Sequence, residues 1–420
     1  MSPIRPTLTV IGRRSAPEDH RLRDMLTRIA QPFDWVEADT AEGRETLGRH
    51  GGAELELPVV VDGEEVFAGA TVETLAKAWG MSSAPALSCY DIAIVGAGPA
   101  GLAAAVYAAS DGLATIVIER DVPGGQASHT SRIENFIGFP DGIGGAELAR
   151  RAGRQAEKFG AELSLLGGVT GHRRDAGGTF ALTLAGGSEV AARAIIAAPG
   201  MEWRRLELDG LEELLGRGVY YGAGRSEAAR CGDDDVVVVG AGNSAGQAVM
   251  HLADAGARVT LLVRGDALGK SMSAYLVDRI AAHPRIDVRL RTEVAAIDAD
   301  DGRLAGVTVR GPDRGERLPA RALFLCLGGL PRTGWATGSG VRLDAAGYIL
   351  CGPDLLDRGA RPEGWPLARD PLALETSVPG LFAAGDVRHG STKRVGAAAG
   401  DGAMAVALVH RRLEELARAG

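Results

Sequence analysis

Cysteine is scarce in this chain of 420 residues, which contains four: Cys89, Cys231, Cys326 and Cys351. No two of them are spaced as Cys-x-x-Cys. A chain of this length with four scattered cysteines is neither a disulfide scaffold nor a zinc ribbon, and no metal site is predicted. We expect the four side chains to be small buried groups of the core.

Long apolar runs and an excess of positive charge are also missing. No stretch reaches the roughly 18 apolar residues of a membrane-spanning helix, and the first residues lack the apolar segment of a secretory signal. The net charge of −8 argues against nonspecific binding to nucleic acid or anionic lipid. The sequence therefore predicts a cytoplasmic protein that binds neither nucleic acid nor membranes.

Glycine, in contrast, is abundant, with 60 residues placed at turns between apolar segments, which is typical of an α/β protein. In the first 80 residues, apolar segments alternate with segments of helical spacing and predict the order β-α-β-α-β-β-α. This order resembles the glutaredoxin and thioredoxin fold, with Leu57-Pro58 at the position of that family's cis-proline. The turn that should carry Cys-x-x-Cys reads Arg14-Ser15-Ala16-Pro17, so we expect no disulfide exchange in this unit.

After a linker of small residues, a strand from Tyr90 runs into Gly96-Ala97-Gly98-Pro99-Ala100-Gly101, the G-x-G-x-x-G signature of a dinucleotide-binding turn. The first glycine makes the tight turn, the second lets the backbone approach a pyrophosphate, and the third lets the next helix pack closely. The pyrophosphate would rest on the N-terminus of that helix. The following strand, 115–118, ends at Glu119, the acid expected to bind the ribose hydroxyls, with Arg120 beside it.

A second copy of the signature, Gly240-Ala241-Gly242-Asn243-Ser244-Ala245, has alanine in place of the third glycine. An internal alignment places Val263 opposite Glu119 and Arg264 opposite Arg120. The acid that selects a free 2′-hydroxyl is absent, and an arginine that suits a 2′-phosphate stands beside the gap. NADPH is therefore favoured over NADH at this site, with NADH as the alternative.

From residue 90 onward, the order of motifs resembles the low-molecular-weight thioredoxin reductases of the pyridine nucleotide-disulfide oxidoreductase superfamily. The segments that carry the resemblance are GAGPAGLAAAVYAA, PGGQASHTSRIENFIGFP, AAPGMEWRRL, VVVVGAGNSAGQA and TSVPGLFAAGDV. The resemblance implies an FAD-dependent oxidoreductase with two Rossmann-like domains that rotate against each other, and a homodimer. The implied order is 1–84 for the thiol-free thioredoxin-like unit, 88–206 and 331–420 for the FAD domain, and 207–330 for the NAD(P)H domain.

The resemblance also implies which residues hold FAD. In the first half it adds Gly124, Gly125, Gln126, Asn135 and Gly200 to the signature. In the second half, nearly 300 residues away, it assigns Gly385 and Asp386, the latter to the ribityl chain, and predicts a helix over 396–409 whose N-terminus faces the flavin. Lys393, Arg394 and Val395 replace the family's Arg-Gln, and the two cations would raise the electron affinity of the flavin.

The chain departs from that family at its electron exit. The family places Cys-x-x-Cys directly before the second signature, where this chain reads Gly222-Ala223-Gly224-Arg225. The thiolate that would pass electrons from flavin to disulfide is missing, and Cys231 alone cannot form the disulfide of a two-electron relay. Reduction of thioredoxin by the family's mechanism is therefore not expected.

Four residues are candidates for chemistry at the flavin. His129 could exchange a proton near the flavin N5, and His389 lies beside the predicted flavin helix. Tyr221 and Arg225 occupy the vacated cysteine loop and could form a pocket wall or a stacking platform. An ordinary packing or surface role is the alternative for each of them.

The leading interpretation is an FAD-dependent enzyme that oxidises NADPH and passes the electrons to a small molecule or to oxygen. Three alternatives stay open. The first is an electron-transfer reductase for a partner such as ferredoxin or flavodoxin. The second is a redox-sensing flavoprotein that docks a partner through its N-terminal unit. The third is a thioredoxin-disulfide reductase with thiols supplied from elsewhere.

Overall fold

The computed structural model describes residues 7–14, 16–52, 54–81, 85–130, 132–222, 231–312 and 315–419. The backbone of these residues forms five β-sheets. Within the same residues, no helix combines the length and the apolar character that crossing a membrane demands.

The N-terminal unit is a four-stranded sheet with three helices. Its elements are β1 (Leu8–Gly12), α1 (Pro17–Arg28), β2 (Phe33–Glu37), α2 (Ala41–Arg49), β3 (Val59–Asp62), β4 (Glu65–Phe67) and α3 (Val72–Ala78). The strand order is β2-β1-β3-β4, and only β1 and β2 pair in parallel. Thr40 and Thr71 cap α2 and α3 by accepting hydrogen bonds from first-turn N–H groups. The predicted element order is confirmed, and the Leu57-Pro58 bond is cis.

A seven-stranded sheet carries the first signature. Its elements, with two helices packed on it, are β5 (Cys89–Val95), α4 (Pro99–Ser110), β6 (Thr115–Ile118), α5 (Gly145–Lys158), β7 (Glu162–Ser164), β8 (Val169–Arg174), β9 (Phe180–Leu184) and β10 (Glu189–Ala197). The order is β7-β6-β5-β10-β9-β8, parallel from β7 to β10 and antiparallel beyond. The strands β5 and β6 are almost wholly buried, as expected for a parallel sheet covered on both faces.

The chain then crosses to a second parallel sheet and returns. The outgoing strand β11 (Met201–Trp203) precedes a segment with β12 (Val219–Tyr221), β13 (Asp235–Val239), α6 (Asn243–Asp254), β14 (Arg258–Val263), α7 (Ala274–Ala282), β15 (Ile286–Leu290), β16 (Glu293–Asp300), β17 (Arg303–Arg310), β18 (Gly315–Pro319) and β19 (Ala322–Leu325). The order β12-β19-β13-β14-β15 is parallel throughout, and β16, β17 and β18 form an antiparallel sheet. The returning strand β20 (Gly329–Pro331) pairs with β11, so both crossings lie side by side.

The last segment completes the first sheet. Strand β21 (Leu381–Ala383) pairs in parallel with β10, and the long helix α8 (Val395–Ala419) packs against α4. The helix predicted over 396–409 is too short by ten residues at its C-terminus. Its apolar face continues with Leu413, and Arg412 pairs with Glu415 one turn on, so the helical pattern holds to the end. The domain boundaries given above stay predictions.

The segment 350–371 is held against α8 by one arginine. Arg369 contacts Glu375 at 2.6 Å and Glu415 at 2.5 Å, and the Glu375 side chain is fully buried. Burial alone would raise the pKa of Glu415, but hydrogen bonds from Arg369 and Arg412 outweigh it and lower that pKa. The carboxylate pair therefore depends on the cation between them.

We predict that Arg369→Met lowers the free energy of unfolding by about 3 kcal/mol, because it leaves a buried carboxylate unpaired. Because the pKa of Glu415 lies below its ordinary value of 4.5 in the fold, this stabilisation is present above pH 4.5 and is lost as the pH falls. Chemical unfolding followed by circular dichroism measures both effects. Arg361→Met is the control, since its pair with Asp370 is exposed and contributes less than about 1 kcal/mol. Equal losses in the two variants would contradict the argument.

Candidate functional site

Two glycines shape the turn after β5 and a third leaves it open. Gly96 has a φ of +101°, and a Cβ atom there would overlap the carbonyl oxygen of Ala198. A Cβ atom on Gly101 would overlap the carbonyl oxygen of Gly96, so α4 packs on β5 only without a side chain. At Gly98, which precedes α4, no described atom lies within 4 Å of the Cβ position. The N-terminus of α4 is therefore open toward a ligand, as pyrophosphate binding requires.

A cavity of about 250 Å³ opens at the carboxyl ends of β5 and β6. It is lined by Glu119, Arg120, Glu202, Arg332 and Trp335, among others. Burial and the charge of Arg120 lower the pKa of Arg332. The buried Nε of Arg332 has no hydrogen-bond acceptor among the described residues, which suits a site completed by a polar ligand.

The Glu119 side chain is buried and binds the backbone of the first signature turn. Its carboxylate accepts hydrogen bonds from Ala97 N at 2.7 Å and Asp121 N at 3.1 Å. Burial raises the pKa of Glu119, while these two backbone donors act in the opposite direction. Each carboxylate oxygen retains a second lone pair, so the predicted bond to a ribose hydroxyl is compatible with this geometry.

Gly125–His129 form a short 3-10 helix, and together with the preceding Gly124 they are called the Gly124–His129 turn. This turn lies against the first signature. Gly124 has a φ of +112° and donates to the carbonyl of Ala97 at 2.7 Å. The Cβ position of Gly125 is 3.3 Å from Gly98 Cα. Gln126 Nε2 donates to the carbonyl of Met201 at 3.2 Å, which joins the turn to β11. Three predicted FAD residues thus meet at the signature, whereas Asn135 lies further along in an exposed turn.

The two half-sites predicted from distant segments are in contact. A Cβ atom on Gly385 would lie 2.9 Å from the Cβ of Ala100, which belongs to the first signature. Gly385 N donates to Asp401 Oδ2 at 3.1 Å, and Arg388 binds the same carboxylate, which fixes the turn between β21 and α8. The structure therefore brings the second half of the site to the first.

Charged groups surround the start of α8. Burial raises the pKa of Asp386, and the charge of Lys393 acts against this. Lys393 Nζ lies 4.1 Å from the ring centroid of Tyr348, while Arg394 and Val395 begin the helix. His389 is near this turn but is half exposed, and its Nδ1 is 2.7 Å from Asp344 Oδ2.

The other described catalytic candidates, His129 and Tyr221, lie near Gly222, the first residue of the replaced Cys-x-x-Cys. The rings of His129 and Trp203 are 6.5 Å apart, and a Cβ atom on Gly222 would lie 3.5 Å from Trp203. Tyr221 takes part in packing, since its hydroxyl accepts a hydrogen bond from Leu206 N at 2.9 Å. Arg225 lies outside the described residues.

Gly200 connects the cavity to the crossing strands. Its φ is positive, and its carbonyl accepts a hydrogen bond from Arg332 N at 3.0 Å. Arg332, Glu202 and Trp203 were not predicted as site residues. Glu202 and Trp203 lie in the segment AAPGMEWRRL, of which only Gly200 was assigned to the site, and Arg332 lies in none of the recognised motifs. They come to the site through the pairing of β11 with β20.

The second signature repeats the geometry of the first. A Cβ atom on Gly240 would overlap the carbonyl of Cys326, and Gly242 has no described atom within 4 Å of its Cβ position. Ala245, in place of the third glycine, is fully buried, while Ser244 is exposed. Asn243 Oδ1 accepts a hydrogen bond from Ser273 N at 2.7 Å and anchors the start of α6.

Arg264 follows β14 with its side chain 84% exposed, and Glu293 is 3.9 Å away. Arg291 N donates to the carbonyl of Gly265, which places a second arginine beside the same turn. By contrast, Arg258 and Lys270 are held in exposed ion pairs with Asp235 and Asp266. The described site therefore offers Arg264 to an anion from solvent.

The folds and signatures agree with the comparison to known proteins. A model of the pyridine nucleotide-disulphide oxidoreductase family matches residues 90–402, and the chain belongs to that family. The thioredoxin reductase of Bacillus subtilis (strain 168) is 34% identical over 331 residues, covering 78% of this chain and 96% of that protein.

Solved structures give the same result. The thioredoxin reductase of Lactococcus lactis in its FR conformation matches with a TM-score of 0.67 and 29% identity, over 78% of this chain and 99% of that one. The thioredoxin reductase of T. acidophilum matches with a TM-score of 0.67 and 26% identity, over 77% and 99%. The predicted α/β fold with Rossmann-type domains is confirmed, and the chain is an oxidoreductase that uses FAD and a pyridine nucleotide.

We predict that Gly98→Ala and Gly101→Ala fail in different ways. The first places a methyl group in open space, so the protein should fold and lose most of its bound FAD, because the pyrophosphate needs that space. The second drives a methyl group into the carbonyl of Gly96 in the turn after β5, so the thermal midpoint should fall by several degrees. Flavin absorbance per protein and circular dichroism melting separate the two. A Gly98→Ala protein with full flavin content would contradict this account.

Proposed function

We propose that this enzyme oxidises NADPH and passes the electrons through FAD to an acceptor that is not a disulfide of its own chain. The acceptor is a small molecule or oxygen. When bound, the flavin accepts a hydride from the nicotinamide and releases the electrons again. The protein binds and orients the two cofactors and controls protons and charge around them.

The observation that carries this proposal is the chemistry of the cysteines. Burial raises the pKa of Cys326 and of Cys351 to about 12, so both thiols stay protonated and poorly nucleophilic. Cys231 is buried as well, Cys89 is exposed at the start of β5, and no disulfide joins any two of the four cysteines, all of which are among the described residues. A dithiol relay needs two adjacent thiols with accessible thiolates, and this set does not supply them.

The remaining groups take the following roles in the proposal. The open backbone at Gly98 and the donors of Arg332 hold the anionic and polar parts of FAD, and Asp386 binds its ribityl chain. Lys393 and Arg394 add positive charge at the start of α8, which favours a reduced anionic flavin. His129, beside Trp203 and partly exposed, is the residue we assign to proton exchange with solvent.

The N-terminal unit is proposed to be a thioredoxin-like domain without redox activity. Its turn after β1 is held by ion pairs between side chains and not by thiols, since Arg14 pairs with Glu37 and Arg13 with Asp39. Arg23 is buried and donates to the carbonyl of Arg14. We also propose that the enzyme is a homodimer.

A second candidate function is reduction of a partner's disulfide, with thiols supplied from outside the chain. It is favoured by the 34% identity to a thioredoxin reductase. In this case the acceptor would be a redox partner protein, docked near Trp203 and Gly222.

Because the cysteines are isolated and mostly buried, we predict that turnover does not depend on thiols. Cys231→Ala should keep the anaerobic reduction of the bound flavin by NADPH, and oxidase turnover in air, within twofold of wild type. Cys89→Ala is the matched control at the exposed cysteine. Stopped-flow absorbance at the flavin band measures the reduction. Rapid reduction of a chromogenic disulfide through added thioredoxin would overturn the proposal. The same activity retained in Cys231→Ala would support the second candidate, whose thiols come from outside the chain.

Arg264 is predicted to select NADPH. Removing the guanidinium from the 2′-phosphate costs a charge-assisted hydrogen bond, so Arg264→Ser should raise KM for NADPH about tenfold and leave KM for NADH within twofold. Arg258→Ser, at the opposite end of β14 from Arg264 and paired with Asp235, is the control and should change neither value. A wild-type enzyme that uses NADH as well as NADPH would argue against the assignment.

A further inference from the structure

Helix α1 of the N-terminal unit reaches into the flavin unit through one arginine. The Arg28 side chain is only 10% exposed, and its Nη1 lies 2.6 Å from Asp121 Oδ2. Its Nε donates to Ser128 Oγ at 3.1 Å, and Asp24 on the same helix lies 3.5 Å away. Burial alone would lower the pKa of Arg28, but the charges of Asp121 and Asp24 outweigh it and raise that pKa. A charged guanidinium therefore spans the contact between the two units.

Two of the residues that bind Arg28, Ser128 and Asp121, are joined by hydrogen bonds to residues of the predicted FAD site. Ser128 Oγ donates to the carbonyl of Gly125 at 2.7 Å, and the Cβ position of Gly125 lies 3.3 Å from Gly98 Cα. The hydrogen bonds thus run from Arg28 through Ser128 to Gly125 of the Gly124–His129 turn, which lies beside Gly98. Each bond in such a chain polarises the next and restricts the turn to one position.

Asp121, the second of these residues, is joined to Glu119. Asp121 N donates to Glu119, which in turn accepts from Ala97 in the signature. Arg28 binds both the Asp121 carboxylate and the Ser128 hydroxyl. It therefore joins the segment after β6 and the Gly124–His129 turn to helix α1. One side chain from the N-terminal unit therefore holds two points of the chain after β6, Asp121 and Ser128.

The docking of α1 is not limited to Arg28. The imidazole ring of His20, on the same helix, has its centroid 5.5 Å from that of the Tyr220 ring. A Cβ atom on Gly216 would lie 3.1 Å from the His20 side chain. The helix therefore contacts the flavin unit at its C-terminal end and the nucleotide unit at its N-terminal end. These contacts orient the helix, so that the position of Arg28 is set by the docking of the whole unit.

We propose that Arg28 is a positioning residue for FAD, and that the N-terminal unit is thereby a structural part of the flavin site. The inference rests on the proposed FAD site. It assigns the N-terminal unit a role that needs neither thiols nor a partner protein.

The test uses the full chain and begins with three substitutions. Arg28→Met keeps most of the apolar stem and removes the guanidinium. Arg28→Lys keeps the charge for Asp121 but not the fork that also reaches Ser128. Arg49→Met is the control, because Arg49 lies in the same unit and pairs with Glu45 on an exposed surface. The measurements are flavin retained after gel filtration, the Kd for FAD added to flavin-depleted protein, and the visible circular dichroism of the bound flavin.

We expect Arg28→Met to raise the Kd for FAD at least tenfold and to change the flavin dichroism, with Arg28→Lys between it and wild type. Arg49→Met should bind FAD like wild type. Ser128→Ala should weaken FAD binding in the same direction, and the double variant should be less affected than the sum of the two singles, because both act through one chain of hydrogen bonds.

Three outcomes would overturn the inference. If Arg28→Met binds FAD like Arg49→Met, Arg28 does not position the site. If Arg28→Met fails to fold, Ser128→Ala decides, and unchanged FAD affinity in that variant rejects the proposal. If wild type itself binds no FAD, the proposed function fails together with this inference, a result distinct from the first, in which wild type binds and the variants match it.

Discussion

The parallel pairing of β10 with a strand on each side determines where both halves of the cofactor site lie. Ala197 pairs with Val95 of β5 on one side and with Ala383 of β21 on the other. Because parallel strands end at the same edge of a sheet, the turns at Gly96 and Gly385 arrive together, although they are far apart in sequence. The contact of Gly385 with Ala100, the open face of Gly98 and the packing of α8 on α4 all require this register.

Much of this arrangement could be predicted from the sequence, because it depends on local patterns. The strand 115–118 and the acid at its end followed from a short apolar run, and the two signatures followed from glycine spacing. The order of the N-terminal elements followed from alternation and helical spacing. The end of α8 was missed because the fingerprint marks only where that helix begins.

The contacts between units could not be predicted. Arg28 and Asp121 are separated by 93 residues, and nothing in either segment marks the other. Arg332 and Glu202 line the cavity because β11 and β20 pair, which the sequence pattern does not reveal. Tyr221 was placed in the vacated loop by the motif, but its hydroxyl is used by Leu206 N, a backbone detail that only the three-dimensional structure shows.

The placement of β21 also has a consequence for the order in which the chain is made. The carboxyl half of β10, from Ile195 to Ala197, lacks its second neighbour until Leu381 has been synthesised. The N-terminal unit and the inserted parallel sheet are each built from continuous sequence and can fold before then. An unpaired strand edge persists in the meantime, next to an incomplete pocket. We therefore expect the flavin to enter only after β21 and α8 have left the ribosome, late in the folding of the chain.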